Sequence, residues 1–168
     1  STDVVVKGGT GTDTLAVTDA IATITDNQFT NVSGVEKLAL SNTGNLSLTT
    51  GSAFNTAFST GAVVTTGTIG TTDDVTIAAG LSTVDTTVTV VTDGIGTSSE
   101  VNAITTGSGN DTVTLTAASW VGISGGAQGS IVIATGAGTD TISVSVATLL
   151  DGTTSNAITI TGGTGIDT

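Results

Sequence analysis

The stretch Gly107-Ser108-Gly109-Asn110-Asp111-Thr112-Val113 decides the reading of this chain, because the chain repeats it. Gly136-Ala137-Gly138-Thr139-Asp140-Thr141-Ile142 has the same skeleton, and Gly8-Gly9-Thr10-Gly11-Thr12-Asp13-Thr14-Leu15 is its fullest form. Gly162-Gly163-Thr164-Gly165-Ile166-Asp167-Thr168 is a last copy without the closing aliphatic residue. Chance would supply roughly a tenth of one match to G-x-G-x-D-T in a chain of this composition. The two glycines permit positive φ and a tight turn, Asp adds a carboxylate, and the aliphatic residue re-enters a strand. Carbonyls turned inward beside a carboxylate would form an all-oxygen nest suited to a hard cation such as Ca²⁺. A plain Gly/Asp turn between strands is the other reading of any single copy. The expected metal-site residues are therefore Gly9, Gly11, Asp13, Gly107, Gly109, Asp111, Gly136, Gly138, Asp140, Gly163, Gly165 and Asp167, with Asp74 added from a degenerate copy described below.

The skeleton resembles the glycine- and aspartate-rich calcium repeat of RTX proteins. Phe29 to Leu40 (FTNVSGVEKLAL), after the first copy, is similar to the segment that follows such motifs in bacterial surface-layer and related secreted proteins. The resemblance implies calcium as ligand, a secreted, cell-surface location and neighbouring copies or domains of the same surface protein as partners. RTX nonapeptides run in tandem, whereas the motif aspartates here stand at 13, 111, 140 and 167. That spacing implies a broader coil with one calcium corner per turn.

Composition agrees with a β architecture. Thr makes up roughly a quarter of the chain, and β-branched residues favour strands. Glu, Lys, Arg and Met, which favour helices, are nearly absent. The net charge of −12 makes nucleic acid and anionic membrane surfaces poor partners and cations natural ones. No apolar run has the length of a membrane-spanning helix, so membrane insertion is not expected. The absence of Cys, His and Met leaves only oxygen ligands for a metal. One domain over residues 1–168 is expected, as a segment of a longer secreted chain, with no signal peptide in the sequence.

Short alternating stretches run between the motifs. Val4 to Val6 feeds the first corner, Leu15 and Val17 follow it, and Ile21 to Thr25 alternates again. Turns are expected at Asp19-Ala20 and Asp26 to Gln28, and Phe29 and Val32 are expected inside. Glu36 and Lys37 read as a solvated edge. Ser41 to Leu48 (SNTGNLSL) reads as a degenerate corner without Asp, and Ile69 to Ile77 (IGTTDDVTI) as a second one carrying Asp73 and Asp74. Ser52 is a candidate N-cap for a single helical turn holding Phe54 and Phe58. Asp85 in Leu81 to Thr92 reads as solvent-facing, Asp93 to Glu100 as a loop, and Trp120, near the Gly125–Gly129 turn, as a core plug or end cap. Leu149 to Gly152 is expected to close the arm before the last corner.

Successive motif aspartates are separated by 29 residues (111 to 140) and 27 residues (140 to 167). A unit near thirty holding two or three strands is one coil of a parallel β-helix or β-solenoid; an antiparallel β-sandwich is the alternative. The expected function is a structural, calcium-stabilised segment of a bacterial surface layer or adhesin. The alternative is an ice- or glycan-binding module, from T-x-T runs such as Thr112-Thr114-Thr116 and from Trp120. Catalysis is not expected. Asp73 and Asp74 are adjacent, so on a strand they face opposite ways, and neither His nor Arg is present.

Overall fold

The computed structural model describes residues 4–18, 22–41, 43–95, 100–121, 129–147, 149–150 and 157–168. Twelve strands alternate between two six-stranded sheets, and every pairing is parallel. The first sheet stacks Thr14–Val17, Lys37–Leu40, Ala62–Ile69, Thr86–Thr92, Thr112–Ala117 and Thr141–Val146. The second stacks Ala22–Ile24, Leu46–Thr49, Val75–Ala78, Val101–Thr105, Ser130–Ala134 and Ala157–Thr161. Each rung gives one strand to each sheet, so the chain is a parallel β-solenoid. The antiparallel sandwich is excluded.

Alternation produces this arrangement, because the side-chain period of a strand is two. Leu38, Val64, Val88 and Val113 form one inward column, and Leu48, Ile77, Ile104 and Ile133 form another across the core. Thr and Ser take many of the outward positions between them, with Ala39, Ala103 and Val132 among the exceptions. Rung length varies while register does not. Leu15 to Leu38 is 23 residues and Val113 to Ile142 is 29, yet both pairs stand side by side. The corners absorb the difference. One irregularity lies within a strand: the register slips between Thr65 and Thr68, and the Thr66 hydroxyl oxygen accepts the Val91 N–H at 3.2 Å.

The corner after rung two holds the expected helical turn, helix α1 (Ser52–Ala57), and a short 3₁₀ turn, Asp26–Phe29, lies one rung below it. Phe29, Phe54 and Phe58 meet there, with ring centroids 4.5 to 5.8 Å apart. Their edge-to-face and tilted contacts fill the interior beside these two turns. Ser52 is the first helical residue, not the cap. Asp26 of the preceding rung accepts from Ala53 N at 3.1 Å and Phe54 N at 2.9 Å. Sequence proximity pointed to Ser52, whereas the stacking of rungs brings in a carboxylate from 27 residues away.

The Trp120 side chain, Asp19-Ala20, Asp151-Gly152 and most of the Gly125–Gly129 turn lie outside the described residues. At the N-terminal end the interior opens into a cavity of about 260 Å³ lined by Val6, Leu15, Val17, Ile24, Phe29 and Val32 among others.

The cap is testable. Asp26→Ala should lower stability by about 1–2 kcal/mol, the usual cost of losing a cap, and Ser52→Ala by much less. Urea melts of both variants check this, and equal losses would move the cap back to Ser52.

Candidate functional site: the carboxylate column

All four motifs fall on one corner, where the chain passes from the second sheet to the first. Their aspartates form part of a continuous column. Reading the pairing rung by rung, Asp13, Glu36, Ala62, Thr86, Asp111 and Asp140 each precede residues that stand side by side in the first sheet. Asp167 extends the column, since Thr168 O accepts Ile142 N at 2.7 Å. The corners of Asp111, Asp140 and Asp167 thus stack as the spacing implied.

Each carboxylate in the column after Asp13 reaches back to an earlier rung. Asp111 Oδ1 accepts from Thr86 N at 2.8 Å, Asp140 Oδ1 from Asp111 N at 2.8 Å, and Asp167 Oδ1 from Asp140 N at 3.2 Å. Glu36 does the same for Asp13, with Oε2 accepting from Asp13 N at 2.8 Å. A hydrogen bond to a charged group contributes about 1.5–3 kcal/mol, and these main-chain donors have no strand partner at the corner. Glu36 is therefore a ladder member, not part of a solvated edge. A sequence signal for it existed: Glu36-Lys37-Leu38-Ala39-Leu40 has the same acid, aliphatic and Ala pattern as Asp13-Thr14-Leu15-Ala16-Val17.

A second ladder on the same corner points the other way. Asp85 Oδ1 accepts from Asn110 N at 2.8 Å and Asn110 Oδ1 from Thr139 N at 3.0 Å, each reaching forward to the next rung. Asp85 is exposed, as expected, but it is held.

The motif glycines serve the stack. A Cβ on Gly136 would land on Gly107 O, and Cβ atoms on Gly138, Gly163 and Gly165 would land on Gly109 O, Gly136 O and Gly138 O. Gly107 O and Gly136 O, expected to turn into a cation nest, accept N–H from Ala137 and Thr164 of the next rung. Rung-to-rung pairing thus takes up one lone pair of each of these two carbonyls. Gly9 and Gly11 have the same positive φ, but no atom lies within 4 Å of a Cβ built there.

The degenerate copies sit elsewhere. Ser41–Leu48 and Ile69–Ile77 span the opposite corner, where the chain passes from the first sheet to the second. There Asn45 Oδ1 accepts from Asp74 N at 2.8 Å and Asp74 Oδ1 from Val101 N at 2.8 Å, while Asp73 closes the turn begun at Gly70. Asp74 is therefore remote from the motif column. Counting in units of thirty misplaced it, because rungs one to four are shorter than that.

The second carboxylate oxygen is the notable feature of the column. Asp111 is 1 % exposed and Asp140 fully buried, and Oδ2 of each, like that of Asp13, has no hydrogen-bond partner. Burial raises the Asp111 pKa, and the charges of Asp140 and Asp85 add to the rise. The Thr106 hydroxyl and the amide of Thr86 oppose it; Thr106 Oγ1 faces the carboxylate without making a hydrogen bond of good geometry. Protonation of Asp111 therefore favours the folded chain. That contribution is complete below the ordinary carboxylate pKa and is lost as pH rises through the raised one. Unpartnered buried oxygens in a column of like charge fit a hard cation. Among the described residues, however, no three acidic side chains gather into one metal-binding group.

Compared with family models, curated proteins and solved structures, the chain matches none. What fold and corner define is a parallel β-solenoid with a carboxylate ladder.

Gly9 and Gly138 separate stacking from backbone strain, since their φ values are 146° and 147°. Gly138→Ala should cost roughly 1–3 kcal/mol more than Gly9→Ala, the range for forced overpacking. Thermal melts decide it, and equal losses would show that φ alone explains the glycines.

Proposed function

We propose that the chain is a structural, calcium-stabilised segment of a secreted bacterial surface protein, in a surface layer or adhesin. The observation that carries this reading is the pair of buried, unpartnered Oδ2 atoms on Asp111 and Asp140, one rung apart. At a rung spacing of about 4.8 Å two such charges repel by roughly 3 kcal/mol at an effective dielectric near 20. A divalent cation turns that repulsion into attraction between rungs. Asp111 and Asp140 would hold it, with Asp167 and the Thr106 hydroxyl nearby, and Asp13 would act in a separate place beside Glu36. Binding stabilises the stacked state because the carboxylates converge only when rungs stack. The partners in this reading are neighbouring domains or copies of the same surface protein.

Calcium at a hundredfold excess over its dissociation constant should add about 2.7 kcal/mol, or roughly 5–10 °C in melting temperature. Asp111→Asn gives a sharper test, because it removes the charge and keeps an oxygen for Thr86 N. In chelator at neutral pH the variant should melt at or above the parent; in calcium it should melt below it. Lowering the pH in chelator should close the gap, since the parent then gains the proton that its raised pKa favours. Asp85→Asn should leave the size of the calcium shift unchanged, since Asp85 lies outside the proposed ligand set. A parent melting temperature that ignores chelation would end the calcium assignment.

Ice or glycan binding is the second reading, and one observation favours it. Thr112, Thr114 and Thr116 stand in register with Thr141, Ser143 and Ser145 on one side and with Thr87, Thr89 and Val91 on the other. The sequence spacing drifts, but this outer face does not. Inhibition of ice recrystallisation by the folded chain would support ice binding, and normal crystal growth would remove it; a glycan-array screen tests the other half in the same way.

A further inference from the structure

The residue just before the G-x-G-x-D skeleton differs among the four motif corners. It is Gly8 in the first, Thr106 and Thr135 in the middle two, and Gly162 in the last. Thr106, Thr135 and Gly162 follow the paired residues Thr105, Ala134 and Thr161, so they stack at the end of the second sheet, at the entrance to the carboxylate column. The two glycine corners leave no room for a side chain there. A Cβ on Gly8 would come within 2.9 Å of Asp13 Oδ2, and one on Gly162 would meet Asp167 Oδ2.

The two threonines are not equivalent. Thr106 is 1 % exposed and Thr135 fully buried, but Thr135 Oγ1 donates to Gly162 O at 3.0 Å. Thr106 Oγ1 has no partner, and neither has Asp111 Oδ2, the carboxylate it faces, nor Asp140 Oδ2. Asp140 Oδ1 is bonded to Asp111 N, which fixes that second carboxylate beside the Asp111 corner. Among the described residues, this is the one motif corner where a free hydroxyl and free carboxylate oxygens are buried together. A hydroxyl beside a carboxylate ordinarily donates to it. This one makes no such bond, so its lone pairs are open to a cation. Two carboxylates and a hydroxyl form a hard, all-oxygen set.

Resting on the calcium reading above, we propose that Thr106 decides which corner binds. Its hydroxyl is the neutral ligand of a Ca²⁺ held by Oδ2 of Asp111 and Oδ2 of Asp140, and Thr135 ligates none. The two carboxylates balance the charge of the ion inside the column, and the hydroxyl adds an oxygen without adding charge. The skeleton common to four corners serves their stacking, and a hydroxyl one residue earlier adds an ion at this one.

The test is calorimetric titration of CaCl₂ into the folded, chelator-stripped chain. Thr106→Val keeps the branched shape and removes the hydroxyl, so affinity at this site should fall by about tenfold or more, as it does when a group supporting a metal is lost. Thr106→Ser should restore binding. Thr135→Val should bind as the parent does, and so should Thr50→Val. The Thr50 hydroxyl is equally buried and unpartnered two rungs earlier, where Ala62 takes the place of the aspartate, so it controls for removing a buried hydroxyl as such. In chelator Thr106→Val should melt at or above the parent, because an unpaired buried hydroxyl stabilises nothing. If Thr106→Val binds calcium as tightly as the parent, or Thr135→Val loses as much, this inference falls and the calcium reading stands. A parent that takes up no calcium overturns both.

Discussion

The structure depends on one interaction: a carboxylate of one rung accepting a main-chain N–H of the rung before it. Within the sheets, parallel strands satisfy each other continuously. At the corners the chain turns, the ladder lapses, and donors such as Asp111 N and Asp140 N would be buried and unpaired. The side chains of Asp140 and Asp167 close those gaps. Glycines let the corners approach so closely that a carbonyl occupies the place of a Cβ. Aspartate and glycine in the motif are thus two parts of one solution to turning a stacked backbone. The motif has a structural cause whether or not a cation also binds. The cation question concerns only the second oxygen of each carboxylate.

The sequence carried the architecture more fully than the site. Parallel stacking was legible because a rare skeleton recurred near a coil length and because Leu15, Val17, Val113, Leu115 and Val144 alternate with small polar residues. The column of Asp111, Asp140 and Asp167 followed from the same spacing. The opposite corner was misread because Gly, Asn and Asp serve any tight turn, so Gly44 and Asp74 resemble motif residues without being stacked on them. The interval from Asp13 to Asp111 spans four short rungs, in which Glu36, Ala62 and Thr86 occupy the column. Only the pairing reveals that, because Ala and Thr carry no mark of the position.

Contacts between rungs were the least legible. The cap of helix α1 comes from Asp26, and the place of Asn102 inside an apolar column depends on what lies above and below it. Both are relations between residues some two dozen positions apart at a separation that changes from rung to rung. A local pattern such as S-x-x or V-N-A-I-T cannot encode them. Burial then gives such residues their importance, since the same Asn on the outer face would cost nothing.

The variable rung length has a consequence for how such a chain can change. The corners take up differences of several residues while Val113 and Ile142 remain side by side. Length and register are therefore separable. An insertion among the exposed residues Gly9 to Thr12 would lengthen a loop and leave every face of the solenoid as it was. One residue inserted between Thr112 and Ala117 would exchange the inner and outer faces of that strand, placing threonines in the core. The molecule is written as a stack of fixed lines joined by elastic margins. Divergence can collect in the margins until the repeat is no longer visible as a repeat, while the lines still stack.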